Sequence, residues 1–219
     1  MMKPIHPILR GIMMRVLFLY DLFNPLVKEV DLLTWDLRGR PYPPPGRLKQ
    51  RTVIEYGRRF GLETFVETGT FLGDMVAATR EAFKRIYSIE LAPDLHERAR
   101  RMFREYSHIT LLCGDSANIL LSLLPILRQP CLFWLDAHFS GSITARGAID
   151  TPIEKELRAI LDHPVDGHVI LIDDARDFNG TWGYPTLGDL GAYLRSQRPD
   201  WVYEIWEGII RYHPPKRGE

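Results

Sequence analysis

The sequence predicts an α/β protein built on a mostly parallel sheet with helices on both faces. Three observations lead there. Short apolar runs end abruptly in acids: Cys131-Leu132-Phe133-Trp134-Leu135 stops at Asp136, and Val169-Ile170-Leu171-Ile172 stops at Asp173-Asp174. Such unbroken runs are the mark of parallel strands covered on both faces. Segments with helical spacing separate the runs, and strand-helix alternation builds a parallel sheet. Two final runs flank Glu207-Gly208, which reads as a hairpin and predicts an antiparallel edge.

The elements follow in order. Ile8, Leu9, Ile12, Met13, Val16, Leu17, Tyr20 and Phe23 recur at helical spacing, broken by Arg15 and Asp21. That run is too short to span a bilayer, and no small-residue cleavage site follows it. The expectation is a helix that packs on its own domain or pairs with a second copy in a homodimer, with a membrane-surface helix as the alternative. Residues 40–47, RPYPPPGR, form a proline-rich break. It divides a helical appendage and linker, 1–48, from the main body, 49–219. In the body, Val53, Ile54, Tyr56, Gly57 and Phe60 mark a short amphipathic helix, and Gly61 suits its stop. Strands are then expected over 64–67, 85–90, 109–112, 131–136 and 168–173. Helices are expected over 75–83, 93–103, 117–127, 152–161 and 187–195. Residues 201–206 and 209–213 complete seven strands.

The chain of 219 residues balances 28 acidic against 28 basic side chains. A nucleic-acid binder normally carries a strong basic excess, so no nucleic-acid partner is expected. Two cysteines, Cys113 and Cys131, fall toward opposite edges of the sheet and read as free thiols of a reducing, cytoplasmic compartment.

Ligands of open α/β sheets bind beyond the carboxyl ends of the strands. Acids stand there on four successive strands: Glu67, Glu90, Asp115 and Asp136. A lone carboxylate at such a place is as easily a helix N-cap, but the series is hard to reach by chance. The turn Glu67-Thr68-Gly69-Thr70-Phe71-Leu72-Gly73-Asp74 lets backbone approach a ligand closely. Glu90 comes about 20 residues later, where an acid can take both hydroxyls of a ribose. Asp136 and Asp173-Asp174 place three carboxylates on two strand ends. Like charges so gathered ask for a cation, and oxygen ligands suit a hard one.

On these residues the body, roughly 50–213, resembles the class I S-adenosylmethionine-dependent methyltransferases. The resemblance implies a Rossmann-like seven-stranded sheet. It implies that Gly69 and Gly73 hold the methionine part of the cofactor and Glu67 its amino group. Glu90 would hold the ribose, and Asp115 with Ser116 the adenine edge. Phe71 stands where the usual turn has its middle glycine. The acid after strand four and the acid pair after strand five resemble the metal-dependent O-methyltransferases of the catechol and macrocin types, implying Mg²⁺ on Asp136, Asp173 and Asp174. A metal-bound hydroxyl loses its proton more readily. Asp136 or His138 would take that proton, since no lysine follows Asp136 as in the catechol type. The segment 137–151 would be a substrate lid, with Arg146, Arg176, Trp182 and Tyr184 as substrate contacts. The strings Trp134-Leu135-Asp136-Ala137-His138 and Asp173-Asp174-Ala175-Arg176 look like a bacterial family whose members resemble enzymes that modify sugars or other natural products. The expected function is thus O-methylation of a small-molecule or sugar hydroxyl. Two alternatives stand beside it: a metal-dependent sugar-phosphate hydrolase or transferase, and a non-catalytic cofactor-binding module. No phosphate loop of the Gly-Lys-Ser/Thr type is present, which counts against a nucleotidase.

Overall fold

The computed structural model describes residues 30–136, 152–181 and 183–216. The helix expected over residues 8–23, the segment 137–151 and Trp182 lie outside them. The chain divides into two compact units, 1–49 and 50–219. In the first, residues 30–35 are helical. The Trp35 indole donates to the Pro41 carbonyl at 2.8 Å, and the Arg40 guanidinium lies over its ring. No helix among the described residues is long and apolar enough to cross a membrane.

The second unit carries the sheet. Helix α1 (Gly46–Arg59) leads into it and ends on Gly61, whose φ of 62° is left-handed. Leu62 N donates to Gly57 O and Gly61 N to Arg58 O, so the last carbonyls are closed by a Schellman motif. The alternation expected from the sequence follows: β1 (Thr64–Thr68), α2 (Asp74–Thr79), β2 (Arg85–Glu90), α3 (Pro93–Met102), β3 (Ile109–Cys113), α4 (Ser116–Leu123), β4 (Cys131–Leu135), α5 (Ile153–Leu161), β5 (Val169–Ile172), α6 (Leu187–Gln197), β6 (Val202–Trp206) and β7 (Ile209–His213). The sheet order is β3-β2-β1-β4-β5-β7-β6. The first five strands run parallel, and β7 is antiparallel to both neighbours. Glu207 and Gly208 both have positive φ, as a two-residue type I′ hairpin requires. Two elements differ from expectation. The helix expected to reach Phe83 stops at Thr79. The one expected to reach Leu127 gives way to a 3-10 turn over Leu124–Ile126, because Pro125 cannot donate to the helical ladder.

Strand periodicity sorts side chains onto two faces. Val66, Phe133, Leu135, Ile170, Ile172 and Tyr212 join one cluster with residues of α4, α5 and α6. Phe65, Leu132, Trp134, Val169, Leu171 and Ile209 join another with residues of α1, α2 and α3. All residues of β1, β4, β5 and β7 are buried, and in β4 and β5 this shows as unbroken apolar runs, while β1 and β7 also bury polar side chains, among them Glu67 and Arg211. Helix α1 comes so close that a Cβ on Gly57 would meet Phe83 Cζ at 2.5 Å.

At the amino ends of β4 and β5 sits a buried histidine pair. Cys131 N donates to His168 Nδ1 at 3.0 Å, so the proton of neutral His168 is on Nε2. That nitrogen lies 2.9 Å from His163 Nδ1 and donates to it. Burial, with His163 close by, holds the His168 pKa down at about 4. Cys131 is a free, buried thiol and Cys113 a free, exposed one. Burial pushes the Cys131 thiol up to about 12, which makes it a poor nucleophile. Because the fold favours neutral His168, its contribution to stability is complete above about pH 6.5, the ordinary histidine value. It is lost as pH falls from there toward 4, by up to about 1.4 kcal/mol per pH unit. Urea denaturation at pH 7, 6 and 5 should show this decline, and His168→Gln should show a shallower one. Equal slopes in the two proteins would contradict the assignment.

Candidate active site at the carboxyl edge of the sheet

The register of the central strands assembles the site. Thr68 of β1 pairs with Leu135 of β4, and Leu135 pairs with Ile172 of β5. Asp136 and Asp173 are therefore the next residues out on adjacent strands, which lie about 4.8 Å apart. Asp136 N donates to the Thr68 carbonyl at 3.1 Å and to Thr68 Oγ1 at 3.3 Å. Asp173 N donates to Leu135 O. Asp174 N then donates to Asp173 Oδ1 at 2.8 Å, and Asp174 adopts a left-handed φ of 49°, a conformation aspartate tolerates better than most residues. Ala175 N donates to Gly208 O, so the β6–β7 hairpin tip braces the acid pair. The outcome is one carboxylate oxygen from each of Asp136, Asp173 and Asp174, all within 4.8 Å of one another. Three oxygens at that spacing fit the shell of one hard divalent cation, and carboxylates are the donors Mg²⁺ accepts.

The glycine turn lies next to this group, on β1. Gly69 and Gly73 have φ of 95° and 84°, and Phe71 is also left-handed at 49°. A bulky residue at positive φ is strained, and the contacts around Phe71 show what holds it. Phe71 N donates to Glu90 Oε2 at 2.7 Å, while Ala92 N donates to Glu90 Oε1 at 2.8 Å. Glu90 thus ties the turn to the start of α3, and each of its oxygens keeps a second lone pair for a ligand. The Arg98 guanidinium donates to the Leu72 carbonyl, and Gln50 Nε2 donates to the Asp74 carbonyl at 3.1 Å. Gly69 and Thr70 donate their N–H groups to Ile89 O.

Glu67 is fully buried beneath the turn. It accepts from Ser88 Oγ, and Ser88 lies 2.6 Å from Thr70 Oγ1. Burial pushes the Glu67 pKa well above the ordinary carboxylate value, the Ser88 hydroxyl draws it back, and the charges of Asp136, Glu90 and Asp74 raise it further. Asp115 caps α4, accepting from Asn118 N at 3.1 Å. Ser116 is buried beside it.

Of the other candidates, Arg176 is exposed in the turn directly after the acid pair. Tyr184 packs its ring edge-on against Phe178 at 5.1 Å. His138, Arg146 and Trp182 lie outside the described residues. Sequence reasoning missed Arg98, Gln50, Thr68 and Glu156. Glu156 of α5 is buried, and burial raises its pKa to about 7, with the Ser116 and Thr68 hydroxyls lowering it and Asp115 and Asp136 raising it. Its only signal in the sequence was a charged residue on the apolar side of its helix, beside Leu157 and Ile160.

No family model matches the chain, and no curated protein matches it. Solved structures do. An O-methyltransferase from Bacillus cereus, in complex with S-adenosylhomocysteine, superposes with a TM-score of 0.57 at 14% identity, over 90% of this chain and 95% of that one. A methyltransferase of Podospora anserina, bound to S-adenosylhomocysteine, gives 0.57 at 18% identity over 85% and 87%. The fold is that of the class I S-adenosylmethionine-dependent methyltransferases. A third neighbour, the O-methyltransferase TomG of Streptomyces achromogenes, involved in tomaymycin synthesis and solved with SAM, gives 0.56 at 15% identity over 85% and 89%.

The left-handed turn is testable without any ligand. A Cβ on Gly73 would lie 3.0 Å from Phe103 Cε2, at a φ closed to most side chains. Gly73→Ala should cost about 1–2 kcal/mol of stability in urea denaturation. A variant as stable as the parent would mean that the turn is not held in this conformation.

Proposed function

We propose that the chain is an S-adenosylmethionine-dependent, Mg²⁺-assisted O-methyltransferase acting on a small-molecule or sugar hydroxyl. The observation that carries this reading is the acidic triad Asp136, Asp173 and Asp174, set beside a glycine turn on the neighbouring strand. The structural neighbours, two with S-adenosylhomocysteine and one with SAM, support the same cofactor. In this reading the Glu90 carboxylate, already oriented by two backbone N–H groups, takes the ribose hydroxyls. Gly69 and Gly73 let the backbone lie close to the methionine part, and Asp115 with Ser116 borders the adenine. A divalent ion on the triad would lower the pKa of an acceptor hydroxyl and fix its position. Asp136, or His138 two residues on, receives the proton. S-adenosylmethionine, when bound, would supply the methyl group: its carbon–sulfur bond would break with the electron pair left on sulfur as the acceptor oxygen bonded to the methyl carbon. Arg176, Arg146, Trp182 and Tyr184 are proposed as acceptor contacts. The segment 1–48 is proposed to pair two copies.

Transfer of a labelled methyl group to a panel of phenolic, catecholic and sugar hydroxyls, with Mg²⁺ or with a chelator, tests the reaction. Metal-dependent transfer is expected. Glu90→Ala should remain folded and bind S-adenosylhomocysteine at least tenfold more weakly, since hydrogen bonds to a charged group are worth about 1.5–3 kcal/mol each. Unchanged affinity in calorimetry would sink the cofactor assignment.

The metal reading has its own check. Asp173→Asn and Asp174→Asn each remove a repelling charge, and an asparagine at 173 still accepts from Asp174 N. In metal-free buffer their melting temperatures should match or exceed that of the parent. Added Mg²⁺, with cofactor product present, should raise the melting temperature of the parent only. A parent indifferent to Mg²⁺ would count against a metal at this site.

A further inference from the structure

Buried hydrogen-bond acceptors are nearly always paired, and an exception points to a water, an ion or a ligand. Oε1 of Glu156 is such an exception: it is buried and has no hydrogen-bond partner among the described residues. The residue is 1% exposed. Its carboxyl group is held near the hydroxyls of Thr68 and Ser116 and within reach of the charges of Asp115 and Asp136. Those four residues mark the end of β1, the turn after β3 and the end of β4. The crevice between β1 and β4 is where the strand order reverses, with β2 and β3 on one side and β4 and β5 on the other. Open parallel sheets bind their ligands at such a point. Asp115, the nearest acid to Ser116 in sequence, uses Oδ1 to cap α4. Oε1 of Glu156 is a further acceptor in this neighbourhood.

We propose that Glu156 is a cofactor-binding residue whose Oε1 accepts a hydrogen bond from the 6-amino group of the cofactor's adenine. The proposal rests on the cofactor reading above. It explains why a carboxylate is kept on a helix face that otherwise packs Ile153, Leu157 and Ile160 into the core. It also adds a side chain from beyond β4 to the recognition of the base, beside Asp115 and Ser116.

Calorimetry on the full chain with two probes tests it: S-adenosylhomocysteine, and S-inosylhomocysteine, in which an oxo group replaces the 6-amino group. The parent protein should prefer the amino compound by about tenfold or more, because the oxo group confronts an acceptor with an acceptor. Glu156→Met removes the acceptor and should bind the two alike. Should that variant not fold, Glu156→Gln serves, because its amide can turn its N–H₂ to the oxo group and should equally lose the preference. A preference undiminished in either Glu156 variant, or absent from the parent, overturns the proposal while leaving the cofactor reading intact. A parent that binds neither compound overturns both.

Discussion

The constraint on which the site depends is the parallel register of β1, β4 and β5. Thr68, Leu135 and Ile172 lie side by side, so whatever follows Leu135 and Ile172 must emerge side by side too. The chain places Asp136 there, and Asp173 with Asp174. Their mutual repulsion is imposed by the sheet, and the sheet can impose it because its central strands are buried on both faces. Removing Phe133, Trp134, Ile170 or Leu171 from water stabilises by roughly 1.5–3 kcal/mol per side chain. That is enough to hold three carboxylates closer than water alone would favour, and a cation would recover the cost.

The same edge shows how a strained turn is kept. Phe71 at positive φ is a local loss, and Glu90 offsets it with a charge-assisted bond to the Phe71 N–H. Arg98 and Gln50 hold the neighbouring carbonyls from α3 and α1. Glu90 therefore has two roles that are hard to separate in a variant. It shapes the turn from inside the protein and presents its remaining lone pairs outward.

Much of this was legible in the sequence. Strands β4 and β5 showed because strands covered on both faces are apolar at every position, β1 to β3 showed by their alternation with helices, and the hairpin showed because Glu207-Gly208 suits a type I′ turn. The acids showed because they interrupt apolar runs. What stayed hidden depended on distant contacts. Arg98 reads as one of several arginines on a charged helix, and nothing local says that it reaches Leu72. Glu156 lies 20 residues beyond Asp136, and only the packing of α5 beside α4 brings it to Ser116. Helix α2 looked longer because Ala82 and Phe83 continue its apolar pattern, yet Phe83 is needed against Gly57 and the chain leaves the helix to place it there. Asp115 could be read either as a cap or as a ligand contact; its Oδ1 caps α4, and one oxygen in a cap does not exclude the other role.

The proposed chemistry requires the carboxyl edge to hold a cofactor and a divalent ion together. The most direct measurement is a crystal structure with S-adenosylhomocysteine and Mn²⁺, read at the manganese absorption edge. An anomalous peak bound by Asp136, Asp173 and Asp174, with the cofactor product across the ends of β1 and β2, is the predicted result. Cofactor product in place with no peak among those three carboxylates would contradict it.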